Sequence, residues 1–359
     1  MAEQTVAHPA TIDETSAALA DAASRDLTVA IRGAGLGWAP RQADLTVDTS
    51  KLNQVSEHVA GDLVARVQAG ATIGHLAEVL ARHGQRLSLD VPPEITVGGM
   101  IATGTAGPLR FRYGSPRDLL IGITVVRPDA VVARSGGKVV KNVAGYDLGK
   151  LFAGSHGTLG LIADATFRLH PLPQAVRYVI ASFPDAATAT AAVAATASSP
   201  VQPAAVELDW PAGGGLTVGV LLEGTESGVA ERARLLTGLL RTAGAADTAG
   251  SAEPPAWWGR LPGPATRALV RTTFWLSRLG EVLAVIAGSR GRYAVGGSAG
   301  AGLLYLTPED GADLDGLSAS LRELLGNRGE VRVLTEPWAP ADPLMRSIKD
   351  QFDPTGRFG

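Results

Sequence analysis

Arg32-Gly33-Ala34-Gly35-Leu36-Gly37 follows a predicted strand and is the first place where residue types and spacing suggest chemistry. Consecutive main-chain N–H groups in such a loop make an anion-binding concavity, and missing side chains let phosphates approach the backbone. The spacing is G-x-G-x-G rather than G-x-G-x-x-G, and Trp38-Ala39-Pro40 leads to another strand. The helix N-terminus that receives a pyrophosphate in a doubly wound dinucleotide fold is therefore not expected here. A second cluster, Pro92-Pro93-Glu94-Ile95-Thr96-Val97-Gly98-Gly99-Met100-Ile101-Ala102-Thr103-Gly104, pairs glycines with little side-chain bulk. A flat ring system can pack face-on against such a main chain. Tyr113-Gly114-Ser115-Pro116-Arg117-Asp118 and Lys141-Asn142-Val143-Ala144-Gly145-Tyr146-Asp147-Leu148 follow, and Gly154-Ser155-His156-Gly157-Thr158-Leu159-Gly160-Leu161-Ile162 forms a third cluster.

The elements that must position these loops are legible as periodicity. A helix is predicted over 11–24, then strands over 27–31, 45–48 and 63–68. Thr72 reads as the N-cap of a helix with Ile73, Leu76, Ala77 and Leu80 on one face and Gly84 as its stop. The stretch after Pro92-Pro93 is too rich in glycine to be a good helix throughout. Strands over 120–127 and 131–133 form a hairpin around Pro128-Asp129, and a further segment over 157–169 ends at Pro171-Leu172-Pro173. Beyond that proline pair the pattern becomes strand–helix–strand–strand–helix over 177–243. It recurs over 268–334 after a loop containing Trp257-Trp258, and a short amphipathic helix closes the chain. Duplicated units of this kind predict an antiparallel sheet with helices on one face.

Composition narrows the chemistry. At 359 residues the chain exceeds the roughly 250–300 at which single cores stop growing, so two domains are expected. The formal net charge of −3 gives no electrostatic case for nucleic acid or an anionic membrane, and there is no run of apolar residues of membrane-spanning length. The polar, acidic start is unlike a signal peptide, so a cytoplasmic chain is expected, with any membrane attachment made through partners. A cysteine count of zero removes disulfides, thiolate zinc sites, catalytic thiols and cysteine-ligated iron–sulfur clusters. Redox chemistry in this chain must therefore use an organic cofactor. All six histidines precede Pro173 and none stands in an H-x-H or H-E-x-x-H pattern, so no metal site is expected.

The ordered set RGAGLG, VQAGAT, TVGGMIATGTAG, RYGSPRDL, VVKNVAGYDLGKLFAGSHGTLG and LHPLP resembles the FAD domain of the vanillyl-alcohol oxidase / p-cresol methylhydroxylase family. More narrowly, KNVAGYDL and the closing FDPTGRF resemble the glycolate oxidase FAD-binding subunits. The resemblance implies an α+β fold: a two-subdomain FAD-binding domain over 1–173, a smaller α+β cap with an antiparallel sheet over 174–340, and a tail over 341–359 returning towards the FAD domain. It places the FAD pyrophosphate on Gly33, Ala34, Gly35, Leu36 and Gly37, with Arg32 at the head of the loop. Second-phosphate and flavin contacts fall to Thr96, Gly98, Gly99, Ala102, Thr103 and Gly104, in the segment that Pro92 opens. Tyr113, Gly114 and Asp118 belong to a stretch that helps hold the nucleotide, and Gly157, Thr158, Gly160 and Ile162 frame the adenine or ring side. Members with a covalent flavin carry a histidine in the first loop; Leu36 stands there in this chain, which implies non-covalent FAD.

Catalysis is where the pattern thins. Tyr146, His156 and Arg271 are the candidates. Tyr146 lines the substrate face or packs under the ring; His156 is a base or hydrogen-bond partner near the flavin, or simply a loop residue. Lys141 and Asn142 could bring polarity to the flavin or its phosphates. Arg271, Trp275 and Arg278 could grip a carboxylate, since a guanidinium binds one bidentately, or belong to one face of a strand. Trp257 and Trp258 fill a gap between domains or present a contact patch. The resemblance implies oxidation of a small 2-hydroxy acid such as glycolate or D-lactate, with hydride passing to flavin. It also implies a complex with a longer homologous FAD subunit and an iron–sulfur subunit. The alternative is a non-catalytic FAD-binding subunit, for electron transfer or assembly, whose homologous partner carries the chemistry.

Overall fold

The computed structural model describes residues 5–35, 42–137, 147–264, 267–334 and 343–358. The chain divides into two units, the first formed by Met1–Ala106, Gly114–Leu172 and Pro337–Gly359, the second by Gly107–Tyr113 and Pro173–Glu336. The fold is α+β, as the sequence predicts, and its larger sheets are antiparallel.

In the first unit, β1 (Thr5–Ala7), β2 (Val29–Arg32) and β3 (Leu45–Asp48) make a parallel sheet in the order β1-β3-β2. Helix α1 (Ile12–Ser24), N-capped by the Thr11 hydroxyl on the Glu14 N–H, packs Leu19 and Ala22 into a small core with Val29, Val47 and Leu161. Strands β4 (Val55–Val59), β5 (Val64–Gln68), β6 (Leu120–Val126), β7 (Val132–Gly136) and β8 (Leu161–Arg168) form a second sheet, order β4-β5-β8-β6-β7. Helix α2 (Ile73–Ala81) is capped by Thr72, as its sequence predicts, and buries Ile73, Leu76 and Leu80. The glycine-rich stretch departs from expectation. Val97–Thr103 is a helix, α3, capped by Thr96 and stopped by Gly104 in the left-handed conformation. Gly98 and Gly99 disfavour a helix by about 1 kcal/mol each relative to alanine. Burial of Val97, Met100 and Ile101 offsets that loss.

The second unit is one eight-stranded sheet. Strand β9 (Ala175–Phe183), helix α4 (Ala186–Ala197), β10 (Ala205–Trp210), β11 (Leu216–Gly224), α5 (Glu226–Thr242) and β12 (Asp247–Ser251) form its first half. Strand β13 (Val270–Phe274), α6 (Leu279–Gly288), β14 (Tyr293–Gly297), β15 (Leu303–Pro308), α7 (Leu314–Leu325) and β16 (Gly329–Val333) repeat it. The sheet order is β12-β9-β11-β10-β14-β15-β13-β16, so each half follows the same order and the two meet at β10 and β14. Alternate residues such as Val206, Leu208, Val218, Val220, Leu304 and Leu306 join Val193, Leu236, Leu283 and Leu321 of the four helices in one core. The duplication is as the sequence predicts; strand β12 is not, because DTAGS at a sheet edge has no apolar alternation to announce it.

Candidate functional site

The three glycine clusters converge within the first unit. Strand β2 ends at Arg32, whose guanidinium meets the Asp48 carboxylate at 2.9 Å through both Nε and a terminal nitrogen. Burial pushes the Asp48 carboxyl up, but the Ser50 N–H and Arg32 outweigh it and hold it below the usual carboxylate range. The main chain then reaches Gly33, where an added Cβ would sit 2.3 Å from Thr96 Oγ1, and Gly35, whose φ of +73° favours glycine and whose surroundings are open. The first loop thus lies against the cap of α3.

That cap is internally satisfied. The Val97 N–H donates to the Ala71 carbonyl at 2.8 Å, Gly98 to Ala69 at 2.7 Å and Gly99 to Thr96 Oγ1 at 3.2 Å. A Cβ on Gly98 would come within 2.8 Å of the Ala69 Cβ, so glycine there allows α3 to approach the turn after β5. With these donors committed, the cluster offers a ligand a flat, side-chain-poor surface rather than a row of N–H groups. Pro92 is exposed, and its carbonyl accepts from Ile95 at 3.2 Å. Thr103 Oγ1 donates to the Gly99 carbonyl at 2.8 Å and is hydrogen-bonded to Thr105 Oγ1 at 2.6 Å.

The third loop docks on the far end of α3. The Gly154 N–H donates to the Ile101 carbonyl at 2.9 Å, and His156 donates to Ala102 at 2.7 Å. A Cβ on Gly104 would stand 3.7 Å from Gly154, and one on Gly157 would stand 3.6 Å from Ile31 of β2. The loop turns through left-handed Gly154, His156 and Gly157. His156 is thus a residue held by its backbone in the conformation that usually belongs to glycine. Thr158 is buried with its hydroxyl on the Ser155 carbonyl at 2.7 Å. Gly160 lies under the Val126 carbonyl, and Ile162 is a core residue of β8. The Ser155 hydroxyl is buried and has no hydrogen-bond partner among the described residues. Gly35 and Gly154 therefore face open space, with Gly104 backed onto the Gly154 main chain, next to the buried Ser155 hydroxyl, which has no partner among the described residues. The site fits a flat, phosphate-bearing group.

Asp118 builds its own turn. Its carboxylate accepts from the Ser115 N–H at 2.7 Å and the Ser115 hydroxyl at 2.8 Å, in the space left by Gly114 at φ +85°. Burial raises the carboxyl, yet the Ser115 donors, Lys150 and Arg117 hold it below the ordinary range. Tyr113 belongs to the second unit, where its hydroxyl donates to Glu223 at 3.0 Å. Leu36, Gly37, Lys141, Asn142 and Tyr146 lie outside the described residues.

The face of the second sheet turned away from α4 to α7 carries a polar row that the sequence pattern did not reveal. Register places Asp209 beside Gly296, Gly296 beside Tyr305, Tyr305 beside Arg271 and Arg271 beside Arg332. Burial raises the Tyr305 hydroxyl, Arg271 and Arg110 oppose the rise, and Glu207 adds to it. Burial also raises Asp209. Arg271 donates to Glu330 at 2.8 Å, so part of its guanidinium is already matched to a carboxylate. Arg278 donates to Glu281 and to the Leu324 carbonyl, and Trp275 stands exposed after β13. Trp257 and Trp258 rest on this sheet itself, over Gly219, with Trp258 edge-on to Tyr178 at 5.0 Å.

Comparison with known proteins agrees with the first unit's chemistry. A family model described as an FAD binding domain matches residues 4–136. D-lactate dehydrogenase [cytochrome] of Arabidopsis thaliana mitochondria is 36% identical over 162 residues, 45% of this chain and 29% of that one. Glycolate oxidase subunit GlcD of Bacillus subtilis is 32% identical over 214 residues, 56% of this chain and 45% of the relative. Subunit GlcE of Escherichia coli is 38% identical over 117 residues, 32% of this chain and 33% of the relative. The matches thus span less than half the length of these curated relatives. A solved structure of alkyldihydroxyacetonephosphate synthase shares the fold over 98% of this chain and 75% of its own, with a TM-score of 0.72 at 18% identity. No helix among the described residues is long and apolar enough to cross a membrane. Two of the three side-chain-poor loops fall within the matched residues, so the chain carries an FAD binding domain of the PCMH type, and FAD is its cofactor.

Proposed function

We propose that the chain is an FAD-dependent oxidoreductase that oxidises a small 2-hydroxy acid, glycolate or D-lactate, to the 2-oxo acid as the FAD-binding subunit of a glycolate oxidase-type complex. The observation that carries the reading is the contact of both Gly33–Gly35 and Gly154–Gly160 with the Thr96–Gly104 segment, in a chain similar to glycolate oxidase subunits. FAD, when bound, supplies the acceptor for the hydride that leaves the substrate α-carbon as the hydroxyl loses its proton. The first loop, Arg32 to Gly37, would hold the pyrophosphate, α3 and the third loop would face the rings, and the Asp118 turn would steady the nucleotide. The cofactor would be held non-covalently. Arg271 and Arg110, both of which act on Tyr305, would supply the positive charge that a substrate carboxylate needs. Tyr146 and His156 remain the candidates beside the reacting atoms. Electrons would pass on to a homologous FAD subunit and an iron–sulfur subunit, in the cytoplasm or at a membrane reached through those partners.

A second reading, a non-catalytic FAD subunit, is favoured by two particulars. Arg271 is already paired with Glu330, and no histidine follows His170. One experiment separates the two. Glycolate and D-lactate are added anaerobically to the purified chain while its flavin absorbance is followed. Bleaching supports a complete active site in this chain. A persistent oxidised spectrum with FAD bound sinks that reading and supports the partner-dependent subunit.

A further inference from the structure

The closing FDPTGRF segment forms a buried ion pair with Lys349 of the helix before it, within the first unit. The Asp353 side chain is fully buried and that of Lys349 is 16% exposed. The three donors of the Lys349 ammonium go to the Asp353 carboxylate, the Phe358 carbonyl at 2.6 Å and the Thr158 carbonyl at 2.9 Å. The Asp353 carboxylate in turn accepts from the Arg357 N–H at 3.0 Å, the Phe358 N–H at 2.8 Å and the Thr355 hydroxyl at 3.2 Å. Both charges are thus matched by direct partners, as burial demands.

The anchors at the two ends give this pair its meaning. Thr158 lies in the third glycine loop. The Arg357 carbonyl accepts from the Val29 N–H at 2.9 Å, at the start of the strand that delivers Gly33. Phe358 is buried in the same small core as Leu19, Val29 and Leu161, and Phe352 meets Phe152 edge-on at 5.7 Å. The tail therefore ties two loops, far apart in sequence, to one carboxylate–ammonium centre.

We propose that Lys349 and Asp353 form a positioning clamp that fixes the Gly154–Gly160 loop against the strand feeding Gly33–Gly35, and so sets the spacing at which the two loops close on the FAD dinucleotide. The proposal rests on the reading that these loops hold FAD. Removing Lys349 alone strands a buried carboxylate, whereas Lys349→Met with Asp353→Asn leaves no buried charge and keeps an acceptor for the Arg357 or Phe358 N–H. Both variants are made in the full chain, beside Leu80→Ala, a core truncation in α2 of the same unit. FAD affinity is measured by titrating the apoprotein, and apoprotein melting is recorded alongside. The clamp predicts at least tenfold weaker FAD binding in the double variant and in Lys349→Met where it folds. Leu80→Ala should shift affinity less than threefold even where it melts lower than the clamp variants. Affinity within threefold of the unmodified chain in the double variant overturns the clamp. An equal loss in Leu80→Ala overturns it too, because general destabilisation would then suffice. Gly35→Asp distinguishes the underlying reading: if it retains FAD, the loop assignment fails and the clamp with it. Loss of FAD in Gly35→Asp but not in the double variant removes the clamp alone.

Discussion

Gly35 and Gly154 of the first unit face open space; Gly219 and Gly300 of the second are filled in by Trp257, Trp258 and Phe111. Both units are rich in glycine, but at these positions the first keeps the space that glycine opens and the second packs it. The difference teaches where to look for a ligand: a glycine whose missing side chain is replaced by a neighbour's ring serves packing, and one facing open space, such as Gly35, serves approach. The units also treat carboxylates oppositely. Asp118 in the first is surrounded by donors and cations that lower it, whereas Asp209 in the second is raised by burial.

The sharpest test of the glycine contrast is Gly302→Val. Its Cβ would lie 1.8 Å from the Phe274 carbonyl at a φ of +65°, so the second unit should lose about 3–5 kcal/mol, read as thermal melting. An unchanged melting temperature would break the comparison. Gly35→Asp should do the reverse, weakening FAD by about a hundredfold, ~2.7 kcal/mol, through repulsion of the phosphates with little loss of fold.

The carboxylates give smaller, opposite-signed effects. Asp118, lowered in the fold, stabilises the folded state at neutral pH, and that stabilisation is lost as pH falls through its depressed folded value. Asp118→Asn should therefore lower the melting temperature at pH 7 and make no difference in strong acid. Asp209, raised in the fold, binds its proton more readily there, so its charge destabilises the folded state above its folded value and not below its ordinary 3.8. Asp209→Asn should raise the melting temperature at pH 7 and leave it unchanged near pH 3. Equal responses from the two variants would erase the contrast. The smallest effect is expected at His156, which docks on α3 through its backbone N–H. His156→Ala should leave substrate-dependent flavin reduction within about tenfold, and a loss above about a hundredfold would make the side chain a catalytic group.

Much of the architecture was legible. Thr72 announced α2 because a hydroxyl before an apolar 3.6-residue stripe has one economical use, the cap. The duplicated halves were legible because each strand alternates and each helix carries its own stripe. Helix α3 was not fully legible: glycine lowers local propensity, and tertiary burial of Val97, Met100 and Ile101, with the carbonyls of Ala69 and Ala71 taking its first N–H groups, holds it. The candidate site was read in the same uneven way. Glycine clusters mark loops in any sequence, but their convergence depends on the parallel pairing of β2 with β3 and on the docking of Gly154 and His156 on α3. The row from Asp209 to Arg332 was invisible because its members come from five strands whose neighbours are set by register alone.

By itself the sequence determined the periodic elements, the absence of thiol chemistry, and the order of motifs from which an FAD domain could be expected, because these depend on residue type and short-range spacing. Tertiary structure alone decided that residues 107–113 join the second unit, where Leu109 packs with Ala204, Ala205 and Leu221. It also decided that Arg271 faces Glu330, and that Lys349 reaches from the tail to the third loop. Such pairings join distant positions through burial and charge matching, and no local propensity encodes which distant partner a buried charge will find.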